Sequence, residues 1–190
     1  QNQAERLYRA AMWQLERGQT QIAAWNLQKV ADGGKLEILA NRKLGELSRD
    51  QPELAVTYYS RAAELGDSEA QNIVGYMYEN GEGVEKNLAM AVKYYELAAE
   101  NHHRGAQHNL GVLYYMGTGV PRDYSRAYDL FLAAAWQESP GAQNNLGVMF
   151  EYGHGVARDR KRALHWYQKA AHNGSEDGRD NYERLLKQIE

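Results

Sequence analysis

The sequence predicts an all-α fold, an array of about five helix-turn-helix pairs followed by a C-terminal capping helix. Segments repeat without gaps at a spacing of 36 residues, and apolar residues within each segment recur at helical spacing. The composition agrees: 25 Ala and 14 Tyr against 3 Pro supply helix formers and core volume with few breakers.

A chain of 190 residues suits one ordinary domain or one elongated array, and the boundaries predict a single repeat domain over 1–190. Lys and Arg number 22 against 25 Asp and Glu, a net charge of −3, which argues against a general nucleic-acid binder with its basic stripe. The longest apolar run, Phe131 to Trp136, is far too short for a membrane span. Cysteine is absent, which excludes disulfides and thiolate metal sites. The start, Gln1-Asn2-Gln3, carries no Met and no charged-then-apolar leader, and reads as a mature product or a trimmed chain, with any export signal already removed.

In chain order, residues 1–34 form a first pair, with helices over 4–17 and 21–31 joined at Gly18 and ended by Gly33-Gly34. Residues 35–66 form a second, over 36–48 and 52–65, turning at Asp50-Gln51-Pro52 and ending in Tyr58-Tyr59, Ala62-Ala63 and Gly66. The register of its first helix is open. Three repeats follow, over 67–102, 103–138 and 139–174. The first carries Ala70-Gln71, Val74-Gly75, Tyr78, Gly81-x-Gly83-Val84, Asn87, Ala91, Tyr94-Tyr95 and Ala98-Ala99. The second has Ala106-Gln107, Leu110-Gly111, Tyr114, Gly117-x-Gly119-Val120, Asp123, Ala127, Leu130-Phe131 and Ala134-Ala135. The third has Ala142-Gln143, Leu146-Gly147, Phe150, Gly153-x-Gly155-Val156, Asp159, Ala163, Trp166-Tyr167 and Ala170-Ala171.

Each repeat reads as two helices. Gly111 sits within the first, where a glycine costs about 1 kcal/mol against Ala, so close approach of a neighbouring helix is expected there. Gly117-Thr118-Gly119 ends that helix, because glycine accepts the left-handed conformation at a C-terminus. Asp123 stands at the N-cap of the second helix, while Ser139, followed by Pro140, and Ser68, with Gln71 as a capping box, open the first helices of their repeats. Ser175 opens the closing helix over 175–190. It places Tyr182 in the Leu position and Glu183 in the Gly position, so the array is expected to stop there.

These residues resemble the Sel-one-like repeat (SLR) family, a branch of the tetratricopeptide-repeat superfamily. Its pattern is Ala-x3-Leu-Gly-x2-Tyr-x2-Gly-x-Gly-Val-x2-Asp-x3-Ala-x2-Trp/Tyr-x3-Ala-Ala-x2-Gly. Residues 70–174 match over three repeats, whereas 1–66 look like plain tetratricopeptide-type hairpins. Asn87, Leu130-Phe131 and Val74 depart from the pattern. The resemblance implies a right-handed α-α superhelix (solenoid) whose inner face binds protein partners. Members act as adaptors in secretion, envelope assembly, quality control and host interaction. A bacterial periplasmic or secreted setting follows from the same resemblance, with the cytoplasm as the alternative.

In that architecture the first helix of each pair lines a concave groove. With the Leu-Gly pair turned toward the next helix, the groove residues are Asn72, Tyr76 and Glu79; His108, Val112 and Tyr115; Asn144, Val148 and Glu151. Asn109, Asn145 and Tyr152 extend the set, and Asn80 and Met116 flank it. Amides can pair with both backbone groups of an extended peptide, and exposed Tyr supplies rigid contact area. Tyr115 and Asn144 are expected to point into the groove and contribute little to folding. The partner expected is therefore a protein or peptide.

The paired loop glycines lack the preceding strand and third glycine of a dinucleotide site. The histidines show no i, i+4 metal spacing, and no Ser lies in a nucleophile-elbow setting. No metal, cofactor or enzymatic activity is expected. The alternatives are a polysaccharide or peptidoglycan module, with Tyr and Trp as stacking platforms, and a hydrolase, against which the missing nucleophile motif speaks. Charge is uneven: residues 67–103 carry Asp67, Glu69, Glu79, Glu82, Glu85, Glu96 and Glu100 against Lys86 and Lys93, a net −5. Residues 139–174 carry a net +3, and Arg160, Lys161 and Arg162 open a helix, where the macrodipole disfavours cations.

Overall fold

The structure, a computed structural model, describes residues 2–31 and 33–189. Gln1, the expected chain start, and Glu190, the expected end of the closing helix, lie outside the described residues. Eleven α-helices and no strand occur among the described residues, and their contacts gather into two compact units, Gln1–Leu97 and Ala98–Glu190.

In the first unit α1 (Gln3–Leu15) and α2 (Thr20–Gln28) form a hairpin, followed by α3 (Lys35–Leu47), α4 (Pro52–Glu64), α5 (Ser68–Asn80) and most of α6 (Leu88–Glu100). α2 stops three residues before its expected end. The Lys29 and Val30 amides turn back onto the Asn26 and Leu27 carbonyls, a tightened last turn that ends the helix. Ala11, Ala23, Leu27, Ala40, Leu44 and Tyr58 form the core of this end.

Packing settles the open register of α3. A β-carbon on Gly45 would lie 2.7 Å from the Tyr59 ring, so Leu44-Gly45 is the Leu-Gly pair of this hairpin. The cap of α5 differs from expectation. Asp67 caps it, its carboxylate accepting from the Ala70 amide at 2.9 Å, while Ser68 is already the first helical residue. A carboxylate at this position also meets the positive end of the helix dipole, which a hydroxyl does not exploit. In the loop after α5, Gly83 has φ +69°, and a β-carbon there would collide with the Pro52 carbonyl at the start of α4. The second loop glycine thus satisfies both a left-handed backbone and a close approach.

The second unit continues with α7 (Arg104–Met116), α8 (Tyr124–Trp136), α9 (Pro140–Tyr152), α10 (Arg160–His172) and α11 (Glu176–Lys187). Gly111 is a point of close approach, as its sequence position implies. A β-carbon there would stand 2.7 Å from the Phe131 ring, and one on Gly147 2.5 Å from Tyr167. Phe131 and Tyr167 are almost wholly buried, so each aromatic plugs the gap its glycine leaves. Asp123, Ser139 and Ser175 cap α8, α9 and α11 as expected. His103 caps α7 through Nδ1, which accepts from the Ala106 amide at 3.1 Å.

Two features recur that the repeat pattern alone does not explain. The buried Gln71 and Gln143 side chains each donate to a carbonyl of the preceding helix, Ala63 and Ala135, at 3.2 Å. The amide of the Ala-Gln motif therefore staples α5 to α4 and α9 to α8. Where Gly66 and Gly174 close their hairpins at φ +92° and +94°, His102 and Glu138 take up left-handed backbone at +58° and +61°.

Candidate protein-interaction surface

In the first unit the expected groove residues all lie on α5. Tyr76 is about half exposed (49 %), while Asn72 and Glu79 are partly buried. Glu79 accepts the Tyr95 hydroxyl at 2.7 Å, which ties the C-terminal turn of α5 to α6.

In the second unit the expected residues on α7 and α9 converge. Val112, Tyr115, Asn145 and Val148 line a cavity of about 150 Å³ together with Met116 and Phe131. Met116 and Tyr152 are mostly exposed. His108 lies beside this wall, its Nε2 3.2 Å from the Asn145 amide nitrogen. With the amide donating, Nε2 is the acceptor and the proton sits on Nδ1. Burial pushes the His108 pKa below its ordinary value, against an opposing hydrogen bond with Asn109.

Two expected contact residues have structural duties instead. Glu151 is only 4 % exposed. Its two carboxylate oxygens take the Arg184 fork from α11 at 2.8 and 2.7 Å, and Oε2 also accepts the Tyr167 hydroxyl at 2.7 Å. Burial by itself would raise the Glu151 pKa. The hydrogen bonds from Arg184 and Tyr167 outweigh it and leave the carboxyl below its usual range. The Tyr167 hydroxyl is driven well above its ordinary value, first by burial and then by Glu151. The Asn144 carbonyl oxygen accepts from Asn181 of α11 at 3.0 Å. Both assignments are corrected for the same reason: α11 packs against α9 and fills the face expected to be open.

Tyr115 keeps its place in the cavity wall, but the expectation that it contributes little to folding is corrected, since it is also a packing residue. Its hydroxyl is bonded to His154 Nδ1 at 2.6 Å, and its ring centroid lies 5.2 Å from Tyr124 and 6.3 Å from Phe131. His154, the middle residue of Gly153-His154-Gly155, is stacked on Tyr124 at 5.0 Å and on Tyr152 at 5.9 Å. The loop residue thus extends the aromatic wall, a role its variable position in the repeat does not signal.

The sequence reading also missed a cleft of about 550 Å³ between α8 and α10, where Trp136, His165, Gln168, Lys169, His172 and Asn173 are among the lining residues. Its one signal in the sequence is Trp136 at a helix end, and that indole is 71 % exposed. At the basic start of α10, Arg160 and Lys161 are exposed, whereas Arg162 pairs with Asp159 and covers the Phe150 ring.

Glycine-aromatic helix pairs at a fixed period, with exposed aromatic and apolar side chains on the first-helix face, define an all-α repeat protein of the interaction-module class. The Sel1 repeat family model matches residues 39–67, 68–103, 105–137 and 140–175. The chain belongs to the Sel1 repeat family, whose repeats are generally protein-interaction modules and generally non-catalytic. The first of these matches corrects the reading of 35–66 as a plain tetratricopeptide-type hairpin: Gly45 and Tyr59 supply the family's close contact without its glycine loop.

Among solved structures, the chain is similar to a protective antigen of uropathogenic Escherichia coli displaying an SLR fold. They share 31 % identity over 86 % of this chain and 36 % of the antigen, with a TM-score of 0.79. The chain therefore spans little more than a third of that antigen's length. A Sel1 repeat protein from Oxalobacter formigenes shares 28 % identity over 90 % of this chain and 72 % of its own, with a TM-score of 0.80. Cysteine rich protein B of Helicobacter pylori, at 24 % identity over 73 % of this chain and 93 % of its own and a TM-score of 0.53, is similar in fold alone. The fold shared with these structures is an all-α repeat solenoid. Among curated proteins, no match emerges.

Proposed function

We propose that the chain is a non-enzymatic scaffold or adaptor that binds a partner protein or peptide on the first-helix face of α7 and α9. One observation carries this reading: Val112, Tyr115, Met116, Asn145 and Val148 together line one apolar cavity, with Met116 63 % exposed beside it. An apolar pocket of this size suits one anchoring side chain, with the Asn145 amide in its lining near enough to pair with the backbone of that segment. Service in bacterial envelope assembly, secretion or host interaction, in the periplasm or outside the cell, is part of the proposal. Its support is the bacterial source of the similar structures, one of them described as a protective antigen.

Selection of random displayed peptides on the immobilised chain tests the reading. Selected peptides are expected to lose about tenfold or more in affinity on Met116→Asp or Tyr152→Ala, and to keep it on Arg160→Ala with Lys161→Ala. Peptides that ignore the first pair of changes and fail on the second move the site to the basic start of α10 and overturn the proposal.

A second reading, a polysaccharide or peptidoglycan module, is supported by the cleft beside Trp136. An exposed indole ringed by Gln168, His172 and Asn173 has the make-up of a sugar-stacking platform. Retention on peptidoglycan that is lost in Trp136→Ala would favour it over peptide recognition.

A further inference from the structure

The chain contains its own example of a guanidinium bound on the first-helix face. In the third repeat Glu151 and Tyr167 form a carboxylate-hydroxyl pair, and Arg184 lays both guanidinium nitrogens on that carboxylate. The first repeat carries the same pair 72 positions earlier: Glu79 stands for Glu151 and Tyr95 for Tyr167, with the hydroxyl-carboxylate distance again 2.7 Å. Asn72 likewise stands for Asn144. In the second repeat the set changes together, to His108, Tyr115 and Phe131. A phenylalanine has no hydroxyl to give, so no carboxylate is kept opposite it.

The two pairs differ in their cation. Among the described residues Glu79 accepts from Tyr95 and meets no Lys, Arg or His side chain. Its other carboxylate oxygen has no partner and is not among the buried unpartnered atoms, so it faces water. Around it, residues 67–103 hold a net charge of −5.

We infer that Glu79 and Tyr95 form a receiving site for an arginine side chain of the partner, which docks as Arg184 docks on Glu151. The inference deepens the proposed function and rests on it, since it names one chemical feature of the partner. The Tyr95 hydroxyl holds the carboxylate in one orientation before the ligand arrives, and a planar fork fits two carboxylate oxygens where an ammonium meets only one. The partner segment is accordingly basic and carries at least one arginine.

The test is a titration of the full chain, labelled with ¹³C in its tyrosine rings, using Nα-acetyl-argininamide and its lysine counterpart as probes. The arginine probe is expected to shift the Tyr95 ring signals with saturation. The lysine probe should need about tenfold more ligand for the same shift, because it forms a single contact. Glu79→Gln, which still accepts the Tyr95 hydroxyl and so preserves the fold, should abolish the saturable shift. Unchanged helicity of that variant, together with an unchanged response of the Tyr115 ring, makes the loss local. Shifts spread evenly over the acidic face, equal for both probes or retained in Glu79→Gln, overturn the inference. Selected peptides that need Met116 and Tyr152 yet carry no arginine and ignore Glu79→Gln overturn it as well, and leave the groove reading standing.

Discussion

Arg184 and Glu151 lie 33 residues apart and meet as a two-pronged pair, with nitrogen-oxygen distances of 2.8 and 2.7 Å, so that the closing helix is bolted to α9 by charge as well as by apolar packing. The carboxylate end is 5 % exposed and the guanidinium end 39 %. Removing the arginine strands a buried charge, and breaking such pairs costs about 3–5 kcal/mol when both ends are buried. With one end partly in water, Arg184→Ala is expected to cost about 2–3 kcal/mol in urea unfolding. Arg184→Ala combined with Glu151→Gln should recover part of that loss, since the stranded charge is gone. A double variant no more stable than Arg184→Ala would contradict this account.

The same pair sets an acid limit. The Glu151 carboxyl is held below its ordinary value, so its contribution is complete above about pH 4.3, the value of an unfolded glutamate. As pH falls below that point the unfolded chain takes up the proton first, and the contribution disappears through the lowered folded value. Glu151→Gln is expected to flatten the decline of melting temperature below about pH 4.3. An unchanged slope would mean that other carboxylates carry the acid transition.

His108 supplies a second, milder window. Burial lowers its pKa, so folded and unfolded forms are both neutral above about pH 6.5 and stability is unaffected there. Below about pH 6.5 the unfolded chain binds the proton first, and stability falls until the lowered folded value is reached. His108→Gln, which retains an acceptor for Asn145, should remove this step from a pH series of thermal melts.

Gly111 against Phe131 tests the packing of the helix pair. Gly111→Leu inserts a branched side chain where the ring already stands 2.7 Å from the β-carbon position. Overpacking of this kind costs about 1–3 kcal/mol or more. Thr118→Ala, in the variable position of the following loop, should change the melting temperature by a degree or so at most. The opposite ranking in calorimetry would invalidate the assignment of the buried helix face.

Glu138 has the left-handed conformation that Gly174 takes at the same point of its repeat. A non-glycine residue there bears about 1 kcal/mol of strain, part of which glycine forfeits through its looser unfolded chain. Glu138→Gly is therefore expected to stabilise by about 0.5 kcal/mol, read as a higher urea midpoint at unchanged slope.

The helices, their pairing and most caps were legible in the sequence because they obey local rules. A cap joins residues three apart, a glycine C-terminus spans one turn, and the 36-residue period repeats those rules often enough to remove ambiguity. Where the period weakens, legibility weakens with it. The register of α3 emerged only from Gly45 lying against Tyr59, because the hairpin replaces the glycine loop with a short turn. The site was harder to read than the fold. The helix-face geometry that assigned Val112, Asn145 and Val148 to one wall also assigned Glu151 and Asn144 to it, since position on a helix fixes a direction and not what lies in that direction.

Amino-acid order alone thus established an all-α array of helix pairs, the glycines that let those pairs close, and the family to which the repeats belong. All three rest on contacts within a hairpin, where the distance along the chain is short and the spacing recurs. The occupancy of each face depended on residues from different repeats, with Arg184 reaching Glu151, Asn181 reaching Asn144 and His154 reaching Tyr115 over 33 to 39 positions. A long polar side chain finds such a partner only when the backbones between have packed. Its hydrogen bonds are then set by three-dimensional distance and by the cost of leaving a buried charge alone.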